Sequence, residues 1–134
     1  MIADHKFELS VYYEDTDLAG IVYYANYLKF IERARSEWVQ ALGIDQMRLK
    51  AEYGVVFAVR RIEADYLQAA KFGDRLQVRT RVLEITGARV RLEQKVERDT
   101  ETLFTANVTL IALTEGGKAT RLPAEFRLKL NKNL

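Results

Sequence analysis

Residues 11–38, VYYEDTDLAGIVYYANYLKFIERARSEW, change periodicity half-way along, and that change decides the fold. Upstream of the switch, Lys6–Tyr12 alternates with Phe7, Leu9 and Val11 on one face, the pattern of a half-buried strand. Thr16–Ile21 contains Gly20 and reads as a loop. From about Tyr24 to Leu42, Tyr24, Tyr27, Leu28, Ile31, Ala34, Trp38 and Leu42 recur mostly at steps of three and four, the stripe of an amphipathic helix. Lys29, Glu32, Arg33, Ser36, Glu37 and Gln40 fall on the opposite side. Trp38 and the Tyr27/Ile31/Ala34 stripe are therefore core candidates. Gly43 supplies a helix stop, and Asp45 can cap a short second helix that ends before Gly54.

Beyond Gly54 the chain turns to strand patterning. Val55–Gln68 is one long strand or two, and Lys71–Asp74 is a turn. Arg75–Ile85 alternates through Leu76, Val78, Thr80 and Val82, then slips near Leu83, as a β-bulge would make it do. Gly87 breaks that run. Ala88–Glu97 and Leu103–Thr114 alternate again around a hairpin turn at Asp99–Thr102. Gly116-Gly117 signals another turn, Lys118–Leu122 a last short strand, and Pro123 the opening of a terminal helical turn. A strand, a long helix, a short helix and about four hairpin-linked strands make an α+β fold with an antiparallel sheet burying the helix. The unpaired sheet edges point to a dimer that joins two of them.

The length of 134 residues fits one domain spanning 1–134. With 49% hydrophobic and 30% charged residues, the chain buries a core without disulfide or metal staples. It has no cysteine and only His5 as histidine, which excludes thiolate sites, Cys nucleophiles and His-rich metal centres. A net charge of +2 is too small for a general nucleic-acid binder. The N-terminal sequence has no signal-peptide pattern and no apolar run is long enough for a transmembrane segment, so a cytoplasmic location is expected. Charge is distributed unevenly. Asp4, Glu8, Glu14, Asp15 and Asp17 crowd the first 17 residues, while Arg60, Arg61, Arg75, Arg79, Arg81, Arg89 and Arg91 enrich the middle. This places a carboxylate site near an anion-binding surface, or else simply marks solvated sheet faces.

Five of the seven tyrosines lie between Tyr12 and Tyr27, beside Glu14, Asp15 and Asp17. A calcium loop fails on Ala19 and Asn26, where Asp or Asn and a bidentate Glu are required. No nucleotide-binding glycine loop is present, and a Ser-His-Asp triad would depend on His5 alone. Three neighbouring acids could hold Mg²⁺, but nothing else supplies ligands, so no metal or other cofactor is expected.

The elements Tyr12-Tyr13-Glu14-Asp15-Thr16-Asp17, Ala19-Gly20-Ile21-Val22-Tyr23-Tyr24, Asn26-Tyr27-Leu28 and Glu32-Arg33-Ala34-Arg35 carry a more specific signal. Together they resemble the signature of hot-dog acyl-CoA thioesterases of the 4-hydroxybenzoyl-CoA thioesterase type, closest to the branch associated with the Tol-Pal envelope system. Tyr66-Leu67-Gln68-Ala69-Ala70 and Gly73-Asp74-Arg75-Leu76 extend the resemblance more weakly into the sheet. It implies a sheet wrapped around one long helix, and a homodimer or homotetramer with active sites at the subunit interface. It also implies hydrolysis of acyl-CoA, with acyl carrier protein as an open alternative donor. Asp17 matches the family's catalytic carboxylate, as nucleophile or as general base on water. The Tyr24 N–H, at the helix N-terminus, matches the oxyanion donor.

Gly20 would allow close approach of the acyl chain. Tyr13 matches a tyrosine lining the site, or else packs in a strand; Tyr23 and Asn26 belong to the same substrate-binding stretch. Arg60, Arg61 and Arg89 are candidates for the coenzyme's phosphates, because guanidinium suits that geometry. Many members of the Tol-Pal-associated branch carry His where this chain has Tyr24, so a His-assisted mechanism is not available here. A non-catalytic acyl-CoA sensor or scaffold of the same fold is the competing reading, though it would not need Asp17.

Overall fold

The computed structural model describes residues 4–132. Its elements run in the order β1 (His5–Ser10), a 3-10 turn (Tyr13–Asp15), α1 (Asn26–Ala41), α2 (Gln46–Tyr53), β2 (Val55–Tyr66), β3 (Arg75–Thr86), β4 (Arg89–Arg98), β5 (Glu101–Thr114) and α3 (Ala124–Asn131). The five strands form one antiparallel sheet in the order β1-β3-β4-β5-β2. The α+β architecture expected from the periodicity is present.

Alternation decides which face of the sheet is buried. Val90, Leu92, Gln94 and Val96 of β4 and Phe104, Ala106, Val108, Leu110 and Ala112 of β5 all turn inward. The face they form packs on α1, whose Tyr27, Ile31, Ala34 and Trp38 are buried as the stripe predicts. Phe30 and Val39 are buried as well, while Leu28 is partly exposed and Tyr24 is 60% exposed. The stripe is therefore wider than the sequence suggests at its centre and rotated at its start, because α1 packs on three strands, β1, β3 and β4.

Several boundaries differ from expectation. The helix opens at Asn26, two residues after Tyr24, because a turn with Asn26 N–H donating to Tyr23 O (2.8 Å) precedes it. β1 stops at Ser10, so Tyr13 stands on the 3-10 turn, outside any strand. Val55–Tyr66 is a single strand with a bulge at Arg60, and it pairs with β5, the last strand in sequence, with no hairpin to β3. Hairpins do join β3 to β4 and β4 to β5. The slip near Leu83 is a register shift between Val82 and Glu84. The turn after β4 narrows to Asp99-Thr100, with Asp99 at φ 53°. Lys118–Leu122 forms no strand: one bridge, Leu113 to Ala119, is all that follows the Gly116-Gly117 turn. The chain then gives Phe126 and Leu130 of α3 to the core. Asp45 does cap α2, its Oδ1 accepting from Met47 N–H (3.0 Å) and Arg48 N–H (3.1 Å), and Gly54 closes it at φ 65°.

Candidate active site

The loop between β1 and α1 is built around two aspartates with different tasks. Asp15 is buried, and its Oδ2 accepts the Tyr12 N–H at 2.9 Å. Its backbone oxygen accepts both the Tyr23 N–H and the Asn26 side-chain amide, each at 2.9 Å. Asp15 thus fastens the 3-10 turn to the start of α1, and Asn26 is a structural clamp of that junction. Asp17 is exposed. Its Oδ1 accepts the Ala19 N–H (2.9 Å), its N–H donates to Ile21 O (3.0 Å), and its own carbonyl accepts the Gly20 N–H (3.0 Å). One carboxylate oxygen of Asp17 stays open to solvent-side chemistry. Gly20 adopts φ 79°, which side chains with a Cβ avoid, so its need here is conformational. No protein atom lies within 4 Å of where its Cβ would stand.

The loop does not float. Thr16 bridges Val22, Ile21 bridges Lys71, and the Val22 N–H donates to Ala70 O at 2.9 Å. The 70–74 segment is in turn held by Asp74, whose Oδ2 accepts from Lys71 N–H (2.9 Å) and from Arg98 (2.7 Å). Partial burial of the Asp74 carboxyl opposes ionisation, but these two donors outweigh it and hold the group below its usual range. Because Asp15 and Asp17 turn to different backbone donors, Glu14, Asp15 and Asp17 do not converge as Mg²⁺ ligands. Among the described residues no three acidic or histidine side chains form a metal-binding group.

An aromatic cluster adjoins the helix start. Tyr23 and Tyr24 lie with ring centres 4.9 Å apart, Tyr24 meets Tyr66 edge-on at 6.1 Å, and Tyr27 stacks on Phe104 at 5.1 Å. The Tyr66 hydroxyl donates to Tyr24 O (3.1 Å), and the Tyr27 hydroxyl accepts the Ala70 N–H (3.0 Å). Burial pushes both the Tyr27 and Tyr66 hydroxyls up, which keeps them protonated at neutral pH. The Tyr24 N–H has no partner among the described residues, and it sits just ahead of the first turn of α1, where the helix dipole is positive. Tyr13 is 81% exposed and meets Phe72 edge-on. Tyr66 carries a contact that the sequence reading missed; a tyrosine at the end of a long alternating strand gives no sign that it reaches back to residue 24.

Arg60, Arg61 and Arg89 do come together. They line one open cavity of about 840 Å³ with Thr86, Thr109 and a fourth arginine, Arg91. Arg91 could have been found from sequence, since it shares a strand face with Arg89. Glu63 pairs with Arg61 (3.2 Å) and Glu84 with Arg91 (2.8 Å), so Arg60 and Arg89 have no ion-pair partner among the described residues. The basic cavity is remote from the loop within one chain. Arg60 and Tyr66 are six residues apart on β2, roughly 20 Å at about 3.3 Å per residue.

Comparison with known proteins now assigns the family. The thioesterase-like superfamily model matches residues 11–130. The chain belongs to that superfamily. It is 41% identical over 123 residues to a Haemophilus influenzae protein named acyl-CoA thioesterase YbgC, covering 91% of this chain and 90% of the relative. An Escherichia coli O6:H1 relative, acyl-CoA thioester hydrolase YbgC, is 33% identical over 82% of this chain and 81% of its own length. A crystal structure of a probable thioesterase from Bartonella henselae superposes with a TM-score of 0.86 at 36% identity, covering 90% of this chain and all of the other. The α+β fold is thus the hot-dog fold, with α1 as the helix that the sheet enfolds. No helix among the described residues is long and apolar enough to cross a membrane.

Proposed function

We propose that this thioester hydrolase cleaves acyl-CoA to the free acid and coenzyme A, with Asp17 as the catalytic carboxylate and the Tyr24 N–H as oxyanion donor. The observation that carries the reading is the division of labour in the loop. Asp15 is consumed by structure, whereas Asp17 is pinned through its backbone yet keeps a carboxylate oxygen free. Its family and its relatives named as acyl-CoA thioesterases supply the reaction class.

Two routes balance. Asp17 can attack the thioester carbon, expelling the coenzyme thiolate and leaving a mixed anhydride that water opens. Alternatively it takes a proton from water as that water attacks. In either route negative charge gathers on the thioester oxygen, where a fixed N–H at a helix start stabilises it without reorganisation. Single turnover in ¹⁸O-water separates the two, because only the anhydride route can leave label in Asp17.

The site works as a pair of chains. Among the described residues β2 has an unpaired edge of 12 residues, and the exposed side chains Tyr66 and Val59 flank it on the helix side. Antiparallel pairing of this edge along its length with a second copy joins the two sheets and sets the start of one copy's β2 beside Tyr66 at the end of the other's. Arg60, Arg61 and Arg89 are the residues offered to the coenzyme phosphates, and Asp17 the residue offered to the thioester. The test is release of free thiol from acyl-CoA by purified protein, trapped colorimetrically. Hydrolysis supports the reading; binding of acyl-CoA without hydrolysis would make the protein a sensor or scaffold instead.

A further inference from the structure

Away from the aspartate loop, a half-buried guanidinium lacks a carboxylate. Arg35 stands on α1 between Ile31 and Val39, and among the described residues its one hydrogen bond goes to Gln94 Oε1 at 3.0 Å. Gln94 is fully buried and fixed, because its Nε2 donates to Ile31 O and to Thr80 Oγ1, both at 2.9 Å. A guanidinium has five donors, and one amide oxygen leaves most of them unused. Burial pushes Arg35 down from its usual value, and Glu32, one turn earlier, offsets that only through space, outside ion-pair distance. A desolvated charge without a counter-ion is costly unless something supplies one.

The unused donors border a cavity of about 200 Å³ between α1 and β2, walled by Val39, Phe57, Val59 and Leu110 and rimmed by Glu32 and Ser36. Between it and the aromatic cluster runs an open stretch of β2, with Val59 and Tyr66 both exposed. Leu28, Glu32 and Arg35 follow one another along a single helix flank. Tyr66, Ala64, Ile62 and Val59 lie on the helix-side face of β2, opposite buried Phe104, Ala106, Val108 and Leu110. Arg35 lies nine residues into α1, roughly 14 Å from its start, and its long side chain leans back toward that start, which leaves the span of an eight-carbon acyl chain.

Resting on the thioesterase reading, we infer that this cavity is the far end of the acyl site, where Arg35 binds a terminal carboxylate. The enzyme therefore favours medium-chain acyl groups that end in a second carboxylate over methyl-ended ones. The apolar walls take the methylenes, and the guanidinium with Gln94 behind it takes the acid.

The test compares octanoyl-CoA with suberoyl-CoA, which differ at the chain end. In Arg35→Met the ratio of kcat/KM for suberoyl-CoA to that for octanoyl-CoA should fall by about 10- to 100-fold, the usual weight of a hydrogen bond to a charged group. Arg35→Lys should keep part of the ratio, and Glu32→Gln should raise it, since removing the neighbouring carboxylate relieves repulsion. Equal losses on both substrates, or dissociation of the dimer in Arg35→Met, would assign Arg35 to structure or to a carboxylate of the second copy and overturn the inference. If the wild type releases thiol from other acyl-CoAs but from neither of these, the inference is overturned; if it releases thiol from none, the thioesterase reading fails by itself. The cavity is then judged by calorimetric titration with free suberate. Binding that disappears in Arg35→Met supports it, and no binding to the wild type overturns it.

Discussion

Replacing Asp17 by Asn separates chemistry from folding more cleanly than any other single change. Asn is isosteric and keeps an Oδ1 for the Ala19 N–H, now at 2.9 Å, and the backbone bonds from Asp17 to Ile21 and from Gly20 to Asp17 do not involve the side chain. The structural cost should therefore stay within the roughly 0.5 kcal/mol of an ordinary surface change. Chemistry should suffer far more. A carboxylate that serves as base contributes at least about 10²-fold, or about 2.7 kcal/mol of activation free energy, and an amide can neither accept the proton nor form the anhydride. Asp15→Ala is the control. It strips the buried acceptor from the Tyr12 N–H, at a cost of about 1–3 kcal/mol, and should lower Tm by several degrees. Thiol-release kinetics and thermal melts of both variants decide the matter. Most of the activity surviving in well-folded Asp17→Asn would refute the assignment, whatever Asp15→Ala does.

Tyr24→Phe keeps the backbone N–H and the ring, so kcat should change less than about tenfold against the 10²–10³ attributed to a preorganised donor; a loss near 10³-fold with folding and association unchanged would transfer the role to the hydroxyl. Arg60→Glu or Arg89→Glu should raise KM for acyl-CoA more than it lowers kcat, and should matter little for a thioester without the nucleotide. Steady-state kinetics on both substrates checks this, and equal losses would make the arginine structural. Val59→Lys places a charge beside the open edge of β2, and light scattering should show weaker association together with lost activity; a fully active monomer would contradict a shared site.

The sequence by itself determined the local vocabulary. The three-four spacing of Tyr27, Ile31, Ala34 and Trp38 gave the helix its buried stripe, Asp45 and Gly54 bounded α2, and the slip at Leu83 is the observed bulge. These features depend on neighbours within a few residues, and their physics is written in spacing and capping chemistry. The resemblance to the thioesterase signature likewise drew attention to Asp17, though the sequence does not say which acid is free. Only the folded structure decided that, by burying Asp15, whose backbone oxygen takes the Tyr23 N–H and the Asn26 amide, and leaving Asp17 outside. It also decided that β2 pairs with β5, that Lys118–Leu122 stays out of the sheet, and that Tyr66 reaches Tyr24. Arg35, Gln94 and Thr80 meet for the same reason. The β2–β5 pairing and the Tyr66–Tyr24 and Arg35–Gln94–Thr80 contacts join residues far apart in sequence, and such contacts follow from which strand edges and helix flanks remain unsatisfied once the local elements have formed, a competition that no window of sequence contains.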